Sequence, residues 1–428
     1  MRRAIGGLAS VCALIGFLIT PVAAQEAQSS KSGIVQGMSV ERLGWIATSM
    51  DREIAKGVFP GAVTLIARRG EIVHFAAHGY LDAAKTKPMN KDSIFRFASM
   101  TKAIVTTAAM MLVEQGIIKL NDPVADYLPE LKDLKVEVAK TDASGRVSYE
   151  DVPADKPITI QDLMRHTSGF FYTFTVKSPR LKQAYEAANI EGSDADISGD
   201  EMLKRLHEIP LANQPATNFL YSVSIDVLGL LLERVTKQPL DVLLQDTLIG
   251  PLGMTDTAFW VPAEKADRIA EVPDSDPLKK LSLRFCRTQD EIKKSYLKGG
   301  AGLCGTAQDY FKFLQMIANG GEYEGKRYLS KKTVEFMLQN HLVGMGGSTE
   351  SSTGPGYGFG LGFAVRLQDG FGWSPGSKGD VMWAGLFGTS FSIDPKEQLV
   401  FILLTQGATA RLQSRHLFKN LVYGAVVE

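Results

Sequence analysis

The sequence carries no surplus of charge: Lys plus Arg is 47 and Asp plus Glu is 47 in 428 residues. That excludes a nucleic-acid binder held by a strong positive field. Three cysteines exclude a disulfide-dense scaffold. The six histidines, at 74, 78, 166, 207, 341 and 416, show no metal-ligand spacing such as His-Glu-x-x-His. No phosphate loop is present, and nothing in the sequence calls for a metal or a cofactor. After residue 20 no apolar run is long enough and free enough of charge to cross a bilayer. What remains is 45% hydrophobic and 22% charged, the mix of an ordinary globular protein and not of a disordered or collagen-like chain. The length allows a large core, two or three domain-sized units as a prior, and no internal repeat is visible.

The N-terminus does hold an apolar run. Arg2 and Arg3 precede the apolar stretch Ala4 to Thr20, and Pro21 leads into the small residues Val22-Ala23-Ala24. This is the pattern of a secretory signal peptide cut after Ala24, which predicts a periplasmic or secreted protein with no membrane attachment once residues 1–24 are gone. The cut removes Cys12 and leaves 45 basic against 47 acidic residues. Residues 25–40 read as a mobile leader, polar and Ser-rich at its start. Of the remaining cysteines, Cys286 and Cys304, an oxidising compartment permits a pair. Sequence separation does not establish one, and we read them as two separate half-buried thiols.

Residues 41–425 read as the folded domain. Glu41 to Ile54 has helical spacing. Ala62 to Ala67 and Glu71 to Ala77 are β-branched runs around Arg68-Arg69-Gly70, the pattern of a hairpin. Ser99 to Gly116 is a helix with an apolar stripe at Ala103, Ile104, Ala108, Met111 and Leu112 and a glycine suited to its C-terminal cap. Helical patterns such as Ile160 to Met164 and Ile225 to Val235 dominate from about 120 to 290, while 136–158 and 173–198 read as loops. Strand patterns return at Gly360 to Leu367, Val381 to Ile393 and Leu399 to Thr405, and Arg411 to Val422 suits a closing helix. The expected fold is therefore α+β: an antiparallel sheet from both chain ends, flanked by helices, with an inserted mostly helical lobe at roughly 120–290.

One constellation carries chemistry. Ser99 and Lys102 lie three apart on a helix and share a face. An amine there can take the serine's proton where its surroundings favour the neutral form. Free backbone N–H groups and the helix dipole beside Ser99 favour developing negative charge. Spacing alone is weak evidence. Ser-x-x-Lys arises roughly once by chance in such a chain, it recurs at Ser295-Tyr296-Leu297-Lys298, and Ser99 also suits a plain N-cap.

The context is more specific. Phe95-Arg96-Phe97-Ala98-Ser99-Met100-Thr101-Lys102, Gly116 to Val124, Ile158 to Gly169 with its His166-Thr167-Ser168-Gly169, Tyr221 to Gly229, Pro251 to Thr257 and Gly299-Gly300-Ala301-Gly302-Leu303 occur in this order. Together they resemble the serine β-lactamase and penicillin-binding-protein superfamily, over about residues 41 to 425. The resemblance implies a β-lactamase-like fold with Ser99 as nucleophile and Lys102 and Tyr221 sharing the base role, in an order that stays open. His166 is expected to make a structural hydrogen bond. Two departures matter. Val223 stands where many members have an amide-contacting Asn. Trp383-Ala384-Gly385 stands where penicillin-interacting members carry Lys-Thr-Gly. This pattern resembles the family VIII carboxylesterase branch, with Trp383, Gly385 and Val223 at the substrate and the N–H groups of Ser99 and Leu386 at the oxyanion.

The expected function is thus an exported serine carboxylesterase with a small-molecule ester substrate, no cofactor and no nucleic-acid partner. The alternatives are a D-Ala-type peptidase or β-lactamase, and a binding or sensor protein without turnover. Gly372-Trp373-Ser374-Pro375-Gly376 matches the Gly-x-Ser-x-Gly elbow of α/β-hydrolases, but Pro375 has no N–H for an oxyanion hole and no helix start follows.

Overall fold

The computed structural model describes residues 33–191, 197–293, 295–409 and 411–428. The expected signal peptide and residues 25–32 of the expected leader lie outside them. The frame is a seven-stranded antiparallel sheet. Its strands are β1 (Gly61–Arg68), β2 (Glu71–Gly79), β3 (Tyr357–Phe359), β4 (Ala364–Arg366), β5 (Val381–Ala384), β6 (Ser390–Asp394) and β7 (Leu399–Thr405), in the spatial order β3-β4-β5-β6-β7-β1-β2. The two chain ends meet at β7 and β1, paired from Leu399↔Arg68 to Thr405↔Ala62.

Both faces of the central strands are covered, which is why β1 and β7 are buried throughout and read as continuous apolar runs. Ala62, Ile66, Leu399, Phe401 and Leu403 face two terminal helices, α1 (Val40–Ala55) and α4 (Arg411–Ala425), and meet Leu43, Ile46, Met50, Phe418 and Val422. Val63, Leu65, Val400, Ile402 and Leu404 face the larger core on the other side. That core contains α2 (Thr101–Glu114) and the helix Ala307–Ala318. A third helix of the core, α3 (Ser224–Thr236), ends at Lys237 in a left-handed conformation (φ 57°).

The sheet-forming segments enclose the helix-rich stretch anticipated, with helices at Ile160–Met164, Pro179–Ala187, Gly199–His207, Ser224–Thr236 and Leu240–Leu244. The fold class is α+β. Several local expectations are corrected. Residues 136–158, expected as loop, contain an antiparallel hairpin of Lys135–Thr141 with Val147–Pro153. It is largely exposed, so it lacks the apolar alternation that marks a half-buried strand. The stretch 173–198 contains the helix Pro179–Ala187, started by Ser178, whose side chain accepts from Leu181 N, and by Pro179. Within the expected leader, Ile34–Val35 and Met38–Ser39 pair as a small hairpin, and Ser39 caps α1. Val381 to Ile393 is two strands joined by a turn at Gly385–Thr389, and Gly360 to Leu367 likewise contains a reversal between β3 and β4.

The two-thiol reading is also corrected: Cys286 and Cys304 form a disulfide, with Cα atoms 5.8 Å apart. Cys304 pairs with Arg96 in a two-residue ladder and bridges to Ala258, and Cys286 packs beside it among Ile94 and Val261. Both cysteines are buried, at 6% and 0% exposure. Among the described residues no helix is long and apolar enough to cross a membrane.

Candidate active site

Phe95-Arg96 pairs with Cys304-Gly305 and delivers the chain into a tight turn, Ala98–Met100, that runs directly into α2. Ala98 takes a left-handed conformation (φ 46°), strained for a residue with a Cβ, immediately before Ser99. The turn is held from outside: Phe97 N donates to Leu303 O (3.0 Å), and Tyr310 Oη donates to Met100 O (2.9 Å). Ser99 thus stands at the mouth of the helix with its side chain on a cavity of about 560 Å3.

Lys102 is one turn further on and 1% exposed. Its ammonium has three oxygens in reach: Gly300 O at 2.6 Å, Tyr172 Oη at 3.1 Å and Ser99 Oγ at 3.4 Å. Its Nζ also lies 4.8 Å from the ring centre of Tyr221 and 5.3 Å from that of Tyr172. Tyr221 enters just before α3. Its ring packs edge-on against His166 (4.7 Å) and Trp383 (5.1 Å) and tilts against Tyr172 (5.3 Å). Its hydroxyl is buried with no hydrogen-bond partner among the described residues.

Behind Tyr221 runs a buried polar chain. His166 Nδ1 pairs with Ser222 Oγ (3.2 Å), Ser222 Oγ with Ser224 Oγ (2.6 Å), and Ser224 Oγ with Ser168 Oγ (2.8 Å). Burial, reinforced by Lys102, pushes His166 well below the usual histidine range, so it is neutral. This is the structural hydrogen bond expected of it.

The opposite wall is β5 and its turn. Trp383 is 3% exposed, pairs with Phe391 across the ladder, and its indole N–H has no partner among the described residues. Gly385 N donates to Thr389 O (2.8 Å), and Thr389 Oγ1 donates to Phe97 O (3.1 Å). A Cβ on Gly385 would stand 2.3 Å from Phe97 O, so only glycine lets this turn close on the nucleophile's turn. The cavity brings together Ser99, Tyr221, Val223, Trp383, Gly385 and Leu386.

Residues outside the expected set complete the site. Tyr172 lines the cavity and faces Lys102. Asp226, on the first turn of α3, accepts from Gly300 N (3.2 Å), and burial raises its pKa above the carboxylate norm despite Lys102 and Lys298 nearby. Lys298, from the second Ser-x-x-Lys, donates to Glu191 O (2.6 Å) and lines the cavity; Ser295 is not its partner but donates to Tyr296 O. Arg415, from α4, donates to Gly385 O (2.5 Å). Burial, then Arg411, lowers its pKa to about 9, which leaves it cationic at neutral pH. Tyr172 and Arg415 carry no spacing signal, and Asp226 and Lys298 lie in the Tyr221 to Gly229 and Ser295 to Lys298 segments without any sign of this place in the site; all four are recognised only where they converge.

Ser374 lies elsewhere. Its Oγ pairs with His416 Nδ1 (3.0 Å) beside a small cavity of about 30 Å3. Residues 372–380 form neither strand nor helix, so the elbow geometry is absent. A serine with a histidine partner is therefore present, but Pro375, the residue after it, has no N–H to offer an oxyanion.

The family model described as Beta-lactamase matches residues 45–422. Protein Rv1367c of Mycobacterium tuberculosis is 35% identical over 82% of this chain and 86% of its own length. Esterase EstB of Burkholderia gladioli is 32% identical over 84% of this chain and 88% of its own. Among solved structures, EstCE1, described as a hydrolase with promiscuous acyltransferase activity, superposes with a TM-score of 0.73 at 26% identity, covering 91% of this chain and 99% of its own.

Proposed function

The chain belongs to the beta-lactamase family and is a serine hydrolase of that fold, and from that premise we propose that it is an exported carboxylesterase acting through an acyl-serine intermediate. The observation that carries the choice of ester is the wall opposite Ser99: Trp383 and Val223 present apolar surface where the amide- and carboxylate-binding members have polar groups. Phe174, Leu281, Phe285 and Phe387 extend that surface, which suits a neutral ester with apolar substituents. The kinship with Esterase EstB supports the same reading.

In this reading Ser99 Oγ attacks the ester carbonyl and loses its proton to Tyr221, which enters the step as the phenolate and leaves it as the neutral phenol. The arrangement favours the Tyr221 oxygen over Lys102 as first acceptor, because the three oxygens around Lys102 Nζ match the three donors of an ammonium. That cation, 4.8 Å from the Tyr221 ring, favours the phenolate from which the step starts. The N–H groups of Ser99 and Leu386 bind the oxyanion. Collapse expels the alcohol, which takes the proton from Tyr221. Water then gives a proton to the same pair, attacks the acyl-serine and releases the acid. The substrate is a small molecule, and no cofactor, metal or nucleic acid enters.

Export rests on the leader-like residues 1–24, and the Cys286–Cys304 disulfide suits an oxidising compartment. N-terminal sequencing of protein from an extracytoplasmic fraction should begin at Gln25. The central test compares turnover of a short-chain p-nitrophenyl ester with that of a chromogenic cephalosporin. The ester should win by a large margin. Equal rates would replace the esterase reading with a β-lactamase or peptidase one, and acylation without release would point to a sensor.

A further inference from the structure

Among the described residues, Arg415 is the one cation whose hydrogen bond ends on the turn that carries the second oxyanion N–H. We propose that Arg415 is a positioning residue that aims the Leu386 N–H at the oxyanion by holding the Gly385 carbonyl, an inference that rests on the reading of Ser99 as nucleophile. The Gly385 C=O and the Leu386 N–H are the two ends of a single peptide unit, planar and trans, so they point in opposite directions. Fixing the oxygen fixes the direction of the N–H.

The hold is a strong one. Arg415 Nη2 lies 2.5 Å from Gly385 O, a charge-assisted bond. The other donor to that oxygen is the neutral N–H of Gly388 at 3.2 Å, across the same turn. A loop of five residues closed on itself resists rotation poorly; a guanidinium anchored on a separate helix does not rotate with it. Arg415 is also fixed where it stands. It comes from α4, whose Phe418 and Val422 are packed against the sheet. Its Nε is buried with no partner among the described residues. An arginine in this setting has given up solvent around one N–H, and the interaction that remains is directed at the Gly385 oxygen.

There is an electronic consequence as well. A positive charge on the carbonyl oxygen polarises the amide and makes its N–H a better donor. The Trp383 strand has no lysine of its own, and α4 brings a cation to that strand's end from a part of the chain 30 residues later.

The test is Arg415→Met, with Arg415→Lys as the conservative variant that keeps a charge. One good oxyanion donor is worth about 10²–10³ in kcat, so misaiming it should lower kcat by about 10- to 100-fold with KM within about threefold. The infrared carbonyl stretch of an acyl-enzyme trapped with a slowly hydrolysed ester should move to higher wavenumber in Arg415→Met and part of the way in Arg415→Lys. A kcat loss without that movement would make Arg415 merely structural, and an unchanged kcat would remove it altogether. If Arg415→Met does not fold, the same two measurements on Arg415→Lys decide between these outcomes. Ser99→Ala separates the two claims. If that variant keeps ester turnover, the nucleophile reading fails; if it loses turnover while Arg415→Met is normal in rate and stretch, only the positioning role fails.

Discussion

Gly385→Ala should disable the enzyme while leaving its core intact. The added methyl would sit 2.3 Å from Phe97 O and 2.2 Å from Thr389 Oγ1. A carbon and a carbonyl oxygen settle at about 3.3 Å or more, so the two turns must part by about 1 Å. One partner is backbone directly preceding Ala98-Ser99, and the other is the residue that ties this turn to it. Neither can swing away as the end of a flexible side chain would. The parting takes Leu386 N–H away from Ser99 by a similar distance, enough to forfeit most of one oxyanion hydrogen bond, and ester kcat should fall by about 10²–10³-fold. The clash itself should cost about 1–3 kcal/mol of stability, measurable by urea unfolding followed by tryptophan fluorescence. Gly424→Ala, where a Cβ meets nothing within 4 Å, should change neither quantity appreciably. A Gly385→Ala enzyme turning over p-nitrophenyl butyrate within threefold of the parent would refute the argument that this glycine closes the oxyanion turn on the nucleophile.

Other outcomes follow from the same geometry. Ser99→Ala should abolish labelling by an organophosphonate, whereas Ser374→Ala should retain both labelling and turnover; the modified peptide is identified by mass spectrometry, and a phosphonate on Ser374 would overturn the mechanism. Lys102→Ala and Tyr221→Phe should each lower ester turnover by at least about 10²-fold, and a near-normal rate in either removes that residue from the proton path. Replacing both Cys286 and Cys304 by serine opens a link across 18 residues and should cost about 3 kcal/mol in urea unfolding, an effect that a reductant reproduces in the parent protein. His74 and His78 share the Thr64 hydroxyl. Burial, then His78 and Lys91, lowers the His74 pKa to about 4 from 6.5. The unfolded chain therefore binds that proton more readily. The contribution is complete above pH 6.5 and is lost as pH falls toward 4, by at most about 1.4 kcal/mol per pH unit. His74→Gln should flatten that part of the stability–pH curve, and an unchanged slope would count against it.

Much of the frame was written locally. Leu399–Thr405 and Gly61–Arg68 are apolar because both faces are covered, and a run of that kind between turn residues announces itself without any partner. α2 did the same through its apolar residues and Gly116, and the order of the motifs was enough to name the family and gather Ser99, Lys102 and Tyr221 as candidates. Here the signal is contained in a window of a few residues, or in an ordered set of such windows.

Tertiary structure decided what depends on distant neighbours. The hairpin Lys135–Thr141 with Val147–Pro153 escaped notice because exposed strands bury little and leave no alternation. Val381 to Ile393 looked like one strand because Leu386 and Phe387 are apolar, yet they pack with Ala98 and Val272 in a turn and not in the ladder. The Cys286–Cys304 bond required the ladder that sets Cys304 beside Arg96, with Cys286 folded back against it. Ser374 gained His416, and Gly385 gained Arg415, through α4 alone. A histidine or an arginine on a surface-like helix has no local signature of such a role. Hydrophobic periodicity reports which face of an element is buried; it does not report which polar group from another element will arrive there, because that is fixed only when the elements dock.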